Sequence, residues 1–414
     1  MGESNVETSR AERRYDLDWL RVLAVLVLVL FHTARIFDIW EPFYAENEGA
    51  STVLTYTFVG AVNPWHMPLF FLLAGAATWF ALRFRSGGQY FLERLRRLFV
   101  PLVFGVLVLV PPQAYVGALS HGNFSGSLFQ YYPHFFRLGP SGDLTGYLGG
   151  FTPAHLWFIL FLFILSLVAL PLFLYLRREA GQRLIARLAA FFARSGAIFL
   201  LAVPLVLALA LPDIGGKNPF YDLILFVYGY VLMADTRFEQ VLDRHKTPAL
   251  VMGLGILLAL VVIAASVAHV PAWLELIMGV SYGSLVTWFL LIAILGFGRK
   301  YLNFTTPALK YASEVAYPFY LLHQTVIVII GFFVVQWDGG VLPKFLAIVV
   351  ASIAATALAV EVLVKRTNVT RFLFGMKPLS RPGRSQVVFR GYRRPEHAVT
   401  TSLRTEEGSE PTGG

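Results

Sequence analysis

Apolar residues in this chain arrive in runs of about 20, the length an α-helix needs to cross a hydrocarbon core of roughly 30 Å. Of its 414 residues, 57% are hydrophobic and only 14% are charged, whereas ordinary soluble domains carry about 25% charged residues. That much apolar surface has no aqueous burial scheme. The fold class is therefore all-α, a polytopic membrane protein. The chain has no Cys, which excludes disulfides, thiolate metal sites and a thiol nucleophile.

The runs predict about ten transmembrane helices, at 17–37, 53–84, 98–118, 154–176, 196–212, 219–235, 248–269, 272–298, 311–336 and 344–364. They divide the chain into a short N-tail (1–16), a transmembrane domain (17–366) and a tail (367–414). The second span contains Asn63-Pro64-Trp65-His66-Met67-Pro68, and its two prolines are expected to break regular helix within the membrane. Backbone freed in that way must be buried in protein or line a wet cavity. Residues 119–152 form the longest internal loop, rich in Gly, Tyr and Phe. From about 367 onward the apolar pattern stops, and a basic stretch gives way to EEGSEPTGG, the composition of a disordered tail.

Charge sets the orientation. With the N-terminus cytoplasmic, the N-tail and the four inner loops hold 19 Lys and Arg, against three (Arg137, Lys217 and Lys344) on the outer side. This asymmetry puts both termini in the cytoplasm. The net charge of +9 reads as a topology signal with affinity for anionic lipid headgroups, not as nucleic-acid binding. The first span follows a charged region as a signal peptide would, but it carries His32 and Arg35 and no small-residue cleavage site follows it. It is a retained helix.

Ionisable residues inside a membrane are costly and usually functional. Arg21 and His32 lie eleven residues apart, hence only about 20° apart around the helix axis and about 16 Å along it. They share one face, with Arg21 at the inner interface and His32 near the midplane or just beyond. His66 and His323 reach similar depth from two other spans. Three histidines from three helices, beside a Pro-rich segment, suggest a polar chamber. His155, at the outer mouth of the fourth span, reads as an interfacial residue. No HExxH spacing or nearby carboxylate pair suggests a metal. A second constellation is Arg94, Arg96 and Arg97 in YFLERLRRLFVP, with Arg83 and Arg85 just upstream. Arg94 and Arg97 are neighbours on one helical surface, and guanidinium forks bind phosphate bidentately. Plain positive-inside charge is the competing account of this cluster.

These residues resemble the bacterial acyltransferase 3 family. Arg21 and His32 within LDWLRVLAVLVLVLFH match its first-helix signature, and His66 to Gly75 (HMPLFFLLAG) its next stretch. Its RxxR motif falls on Arg94 and Arg97, with Pro101 following. His155-Leu156-Trp157-Phe158 and Tyr320-Leu321-Leu322-His323-Gln324 complete five motifs in order over residues 15–365. Ala74 is a departure, since many members carry Ser before the Gly, so no hydroxyl role is expected there.

The resemblance implies transfer of an acyl group, acetyl or succinyl-like, from cytoplasmic acyl-CoA to a hydroxyl of an envelope carbohydrate or similar acceptor, in the bacterial inner membrane. Arg94, Arg97 and Arg21 would hold the phosphates of CoA. His32 would be the general base, and His66 or His323 would orient the acceptor or stabilise the oxyanion. Without Cys a thioester enzyme intermediate is impossible, which leaves direct transfer or an acyl-histidine. No metal is expected. The alternative is a proton-coupled secondary transporter of a small metabolite or sugar, for which internal inverted repeats would be the support; none is evident in the sequence. The orientation is tested by reporter fusions at Gly49 and Gly139, both of which should score as external. A cytoplasmic score at either would overturn it.

Overall fold

The computed structural model describes residues 13–137, 144–267 and 269–379. Gly139 and the tail from 380 onward lie outside the described residues. Every apolar run read above is helical, and among the described residues there are no strands. Seven helices are long and apolar enough to cross a membrane: α1 (Tyr15–Arg35), α2 (Thr52–Phe84), α3 (Gly87–Ser120), α10 (Thr236–Ser266), α11 (Ala272–Tyr301), α12 (Pro307–Val334) and α13 (Val341–Val364). An eighth unit is the pair α5 (Ala154–Val168) and α6 (Leu170–Leu176), bent by 49° where Pro171 follows the break. The runs expected at 196–212 and 219–235 are the shorter apolar helices α8 (Ala197–Ala208) and α9 (Pro219–Leu232). The long outer loop contains its own helix α4 (Leu128–Phe135), started by a reciprocal Ser127–Gln130 capping box. A surface helix, α7 (Glu179–Phe192), follows α6. The chain also stays ordered past the expected boundary at 366. The helix α14 (Asn368–Leu373) folds back so that Phe374 meets Phe104, and buried Arg371 binds the carbonyl of Lys377 and the carboxylate of Glu314.

The expected break at Pro64 and Pro68 does not occur. Helix is regular from Gly60 to Phe84, preceded by a π-helical segment at Thr55–Val59. A proline removes the hydrogen bond to the carbonyl four residues earlier, here those of Gly60 and Pro64. Both carbonyls have a substitute donor on α11: the Tyr282 hydroxyl reaches Gly60 at 2.8 Å and the Thr287 hydroxyl reaches Pro64 at 2.6 Å. The same device recurs in α3, where Pro111 frees the carbonyl of Leu107 and the Tyr132 hydroxyl of α4 takes it. In lipid, unpaired carbonyls would cost several kcal/mol each, so these hydroxyls are what let proline-bearing helices stay straight.

Two glycines set the tightest crossing. A Cβ on Gly75 of α2 would lie 1.9 Å from the carbonyl oxygen of Phe226, and a Cβ on Gly229 of α9 would lie 1.9 Å from that of Leu72. The two backbones thus touch directly, as small residues permit when helices associate in membranes. At the basic end of the bundle, Arg14 pairs with Asp16 and Glu239, and Arg299 with Glu239 and Asp243. These ion pairs tie the ends of α1, α10 and α11 together.

Gly229→Ala should destabilise the folded protein by at least about 3 kcal/mol, the upper range for overpacking. Gly255→Ala, where a Cβ meets nothing within 4 Å, should be neutral. Thermal unfolding of the two purified variants in detergent decides it, and equal melting temperatures would refute the direct backbone crossing.

Candidate functional site

Four histidines, not three, converge. The ring centroids of His32 and His323 are 5.3 Å apart, and those of His155 and His323 are 5.4 Å apart. His66 joins through Phe31, whose ring lies 6.0 Å from His66 and 5.6 Å from His32. His155, expected at the interface, is instead 6% exposed and packs inside the cluster. The backbone explains the difference. Ala154 sits in the left-handed region at φ +49°, buried, with its N–H on the Thr152 hydroxyl. The chain enters α5 through this strained residue, and the entry turns His155 inward toward α12. Strain held at a buried non-glycine residue persists only where the surroundings over-determine it.

Hydrogen bonds assign the rings distinct states. The backbone carbonyl of Ala24 can only accept, so His66 donates to it through Nε2 at 2.9 Å. His155 donates through Nε2 to Leu321 O at 3.0 Å, which leaves its Nδ1 to accept from the Gln113 amide at 3.4 Å. His323 donates through Nδ1 to Tyr320 O, and its Nε2 is buried with no protein partner. His32 makes no hydrogen bond to the described protein residues, and its Nδ1 is buried and unpartnered. Buried polar atoms are nearly always satisfied. Two unpartnered imidazole nitrogens on adjacent rings make this cluster the candidate site.

A cavity of about 200 Å³ opens beside them. His32, His66 and His155 line it, together with Asn63, Trp157 and Tyr320, and it extends past Arg35 and Lys217. Arg35 lies one turn beyond His32, buried, paired with Asp38 and Glu41, and 5.9 Å over the Tyr147 ring. Lys217 sits 5.1 Å over the ring of Trp157. The mouth is thus aromatic and charged, with Glu41 also on its wall, formed by the end of α1, the loops after it and the segment before α9. Among the described residues no group of three His, Asp or Glu is arranged to hold a metal ion.

The three arginines stand apart from this cavity and do not line it. Arg21 pairs with Asp18 at 3.5 Å. Arg97 pairs with Glu93 at 3.4 Å. Arg94 lies 4.6 Å over the Tyr90 ring and donates to the Thr78 hydroxyl at 3.0 Å, but its Nε is buried and unpartnered. Near it on α12, the buried hydroxyls of Ser313 and Tyr317 also lack partners. The Tyr317 ring and the Arg97 carbonyl both close on Gly375, at 2.8 and 3.0 Å from where its Cβ would be. Tyr317 and Ser313 were legible only as parts of the ninth span; no sequence signal singles them out. Tyr317 precedes His323 by six residues, about 9 Å along the helix, so α12 runs from the arginine cluster to the histidine chamber.

This is a polytopic helical membrane protein with a polar chamber at depth and a separate arginine site near its basic end. Residues 14–362 match the family model Acyl_transf_3, an acyltransferase domain. The chain belongs to that family and is a membrane acyltransferase, transferring groups other than aminoacyl groups. Glucans biosynthesis protein C of Salmonella paratyphi A (strain ATCC 9150 / SARB42) is 22% identical over 386 residues, 89% of this chain and 96% of that protein. The protein of the same name from Salmonella typhimurium is 21% identical over 396 residues, 91% of this chain and 98% of its own. No solved structure matches.

The turn that aims His155 is open to a direct test. Ala154→Gly should leave stability unchanged or raise it by about 1 kcal/mol, because glycine adopts positive φ freely. Ala154→Val should cost at least about 2 kcal/mol. Calorimetry of the three proteins checks this, and a Gly variant as damaged as the Val variant would refute the strained turn.

Proposed function

We propose that the protein moves an acyl group, acetyl or succinyl-like, from cytoplasmic acyl-CoA to a hydroxyl of an envelope carbohydrate in the bacterial inner membrane, with His32 as general base. The observation that carries this reading is the His32 ring: it lines the cavity, its buried Nδ1 lacks a partner, and it adjoins the equally unpartnered Nε2 of His323. A neutral imidazole with an open ring nitrogen is the form that a general base requires. The acceptor hydroxyl attacks the thioester carbonyl while His32 takes its proton, a contribution worth roughly 10²–10⁴-fold. The carbon–sulfur bond then breaks, and the leaving CoA thiolate takes the proton that His32 holds, which restores the neutral base. His323 and His66 each give their one N–H to a backbone carbonyl, so their other ring nitrogens accept from the acceptor's hydroxyls and orient it. Arg35 and Lys217 at the mouth, with the Tyr147 and Trp157 rings, suit a polyhydroxyl acceptor arriving from the outer side. The relatives named for glucans biosynthesis favour a glucan among such acceptors.

The donor enters from the opposite end. Arg94 with its unpartnered Nε, Arg97, and the unpartnered hydroxyls of Tyr317 and Ser313 offer donors to the phosphates and amides of CoA. Arg21 lies about 16 Å below His32 by helix rise, a span the pantetheine arm has to cover. Replacing Arg94 and Arg97 together by Ala should raise the Kd for acyl-CoA at least about tenfold, since a hydrogen bond to a charged group contributes roughly 1.5–3 kcal/mol. Calorimetric titration of the folded double variant measures it. An unchanged Kd would reduce the cluster to a topology signal. Mass spectrometry of envelope glycans with and without the protein then identifies the transferred group, and identical glycan masses would count against a carbohydrate acceptor.

A further inference from the structure

A second cavity, of about 210 Å³, lies at the basic end of the bundle, and neither the four histidines nor Arg94 line it. Its walls are Trp79 and Arg83 from the last turns of α2, Arg177 just after α6, Gln182 of α7 and Tyr230 of α9. The Trp79 and Tyr230 rings meet edge to face at 5.3 Å and form an aromatic wall. Arg83 has no carboxylate partner, and its only described contact is with the neighbouring Phe84 ring, 6.0 Å away. Arg177 donates only to the backbone carbonyl of Arg85. Arg14, Arg97 and Arg299 at this end pair with Asp or Glu, whereas the two arginines of this cavity have no such pair among the described residues. Two exposed guanidinium groups that face one cavity make it a place suited to an external anion.

The helix that closes the cavity indicates which kind. α7 buries Gly181, Ile185 and Ala189 on one face, leaves Leu184 and Phe191 exposed, and carries Arg183 and Arg187 exposed between them. Exposed apolar residues beside arginines on a short surface helix are the pattern of a helix lying in the membrane interface. Phe84, next to Arg83, is 76% exposed, which fits a side chain turned into lipid. The cavity thus opens at headgroup depth, where a lipid phosphate is supplied by the membrane itself and a guanidinium fork matches its oxygens. We propose that this cavity holds the phosphate of an anionic phospholipid headgroup, with Arg83 and Arg177 as the anion ligands and Trp79 and Tyr230 as the wall against its glycerol end.

The test uses the full-length protein in detergent, with phosphatidylglycerol, phosphatidylcholine and acetyl-CoA as separate probes read by native mass spectrometry. Wild-type protein should retain phosphatidylglycerol at least about tenfold more strongly than phosphatidylcholine. Arg83→Gln/Arg177→Gln should remove that preference and leave acetyl-CoA binding unchanged. Should the double variant fail to fold, Arg83→Gln alone disturbs no described hydrogen bond and should still weaken phosphatidylglycerol several-fold. Retained phosphatidylglycerol in a monodisperse variant would overturn the proposal, as would equal retention of phosphatidylcholine by wild type. Loss of acetyl-CoA binding in these variants would also overturn it, reassigning the cavity to the donor. An acyltransferase reading that failed on Arg94 and Arg97 would leave this result untouched.

Discussion

The rest of the structure depends on one constraint: within lipid, every backbone carbonyl and amide must find a partner inside the protein. Of the helices that build the site, the one with His66 carries Pro64 and Pro68 and the one with His323 carries Pro318, and a proline inside a helix releases a carbonyl. Tyr282, Thr287 and Tyr132 supply hydroxyls from neighbouring elements to the carbonyls of Gly60, Pro64 and Leu107. These bonds do two jobs. Those of Tyr282 and Thr287 keep α2 regular where a break was expected and lock α2 against α11 in the stretch that carries His66. The Gly75–Gly229 crossing fixes the other side of the same helix against α9. A histidine at depth on α2 therefore rests on a frame held by hydroxyl-to-carbonyl bonds and direct backbone contact.

Within that frame polar groups fall into two sets. Most are satisfied: His66 on Ala24, His155 on Leu321 and Gln113, Arg35 on Asp38 and Glu41. Nine buried side-chain atoms are left open among the described residues; four are on Thr33, Gln324, Ser352 and Thr356, and the other five lie at two levels beside α12. His32 Nδ1 and His323 Nε2 are open at the chamber; Tyr317, Ser313 and Arg94 Nε are open toward the basic end. An unpaired buried group costs about 1–3 kcal/mol, so such clustering is the expected mark of surfaces that a bound donor and acceptor complete. The separation of the two levels suits the proposed reaction between a cytoplasmic thioester and an external hydroxyl.

Much of this was legible in the sequence because membrane physics acts on composition and run length. The helices, the polar chamber and the face shared by Arg21 and His32 follow from hydrophobic period and the cost of intramembrane charge. The misreadings have physical causes. Pro64 and Pro68 were expected to break α2 because the rescuing hydroxyls sit more than 200 residues away, where no local pattern connects them. His155 read as interfacial because its inward turn depends on a positive φ at Ala154, a residue type that does not advertise it. Tyr317 and Ser313 look like any helix residues until the tertiary fold strips them of partners. The ordered segment around Arg371 was hidden because its hold on the bundle is a few specific contacts, not an apolar run.

The central claim is that His32 removes the acceptor's proton, and one comparison tests it most directly. His32→Gln retains bulk and hydrogen-bonding capacity but cannot act as a base near neutral pH. Wild-type and variant protein, reconstituted with labelled acyl-CoA and envelope glycan, would be compared for single-turnover transfer, with acyl-CoA binding measured in parallel. The account predicts transfer slowed at least about 10²-fold with donor binding intact. Transfer at near wild-type rate by the Gln variant would contradict it.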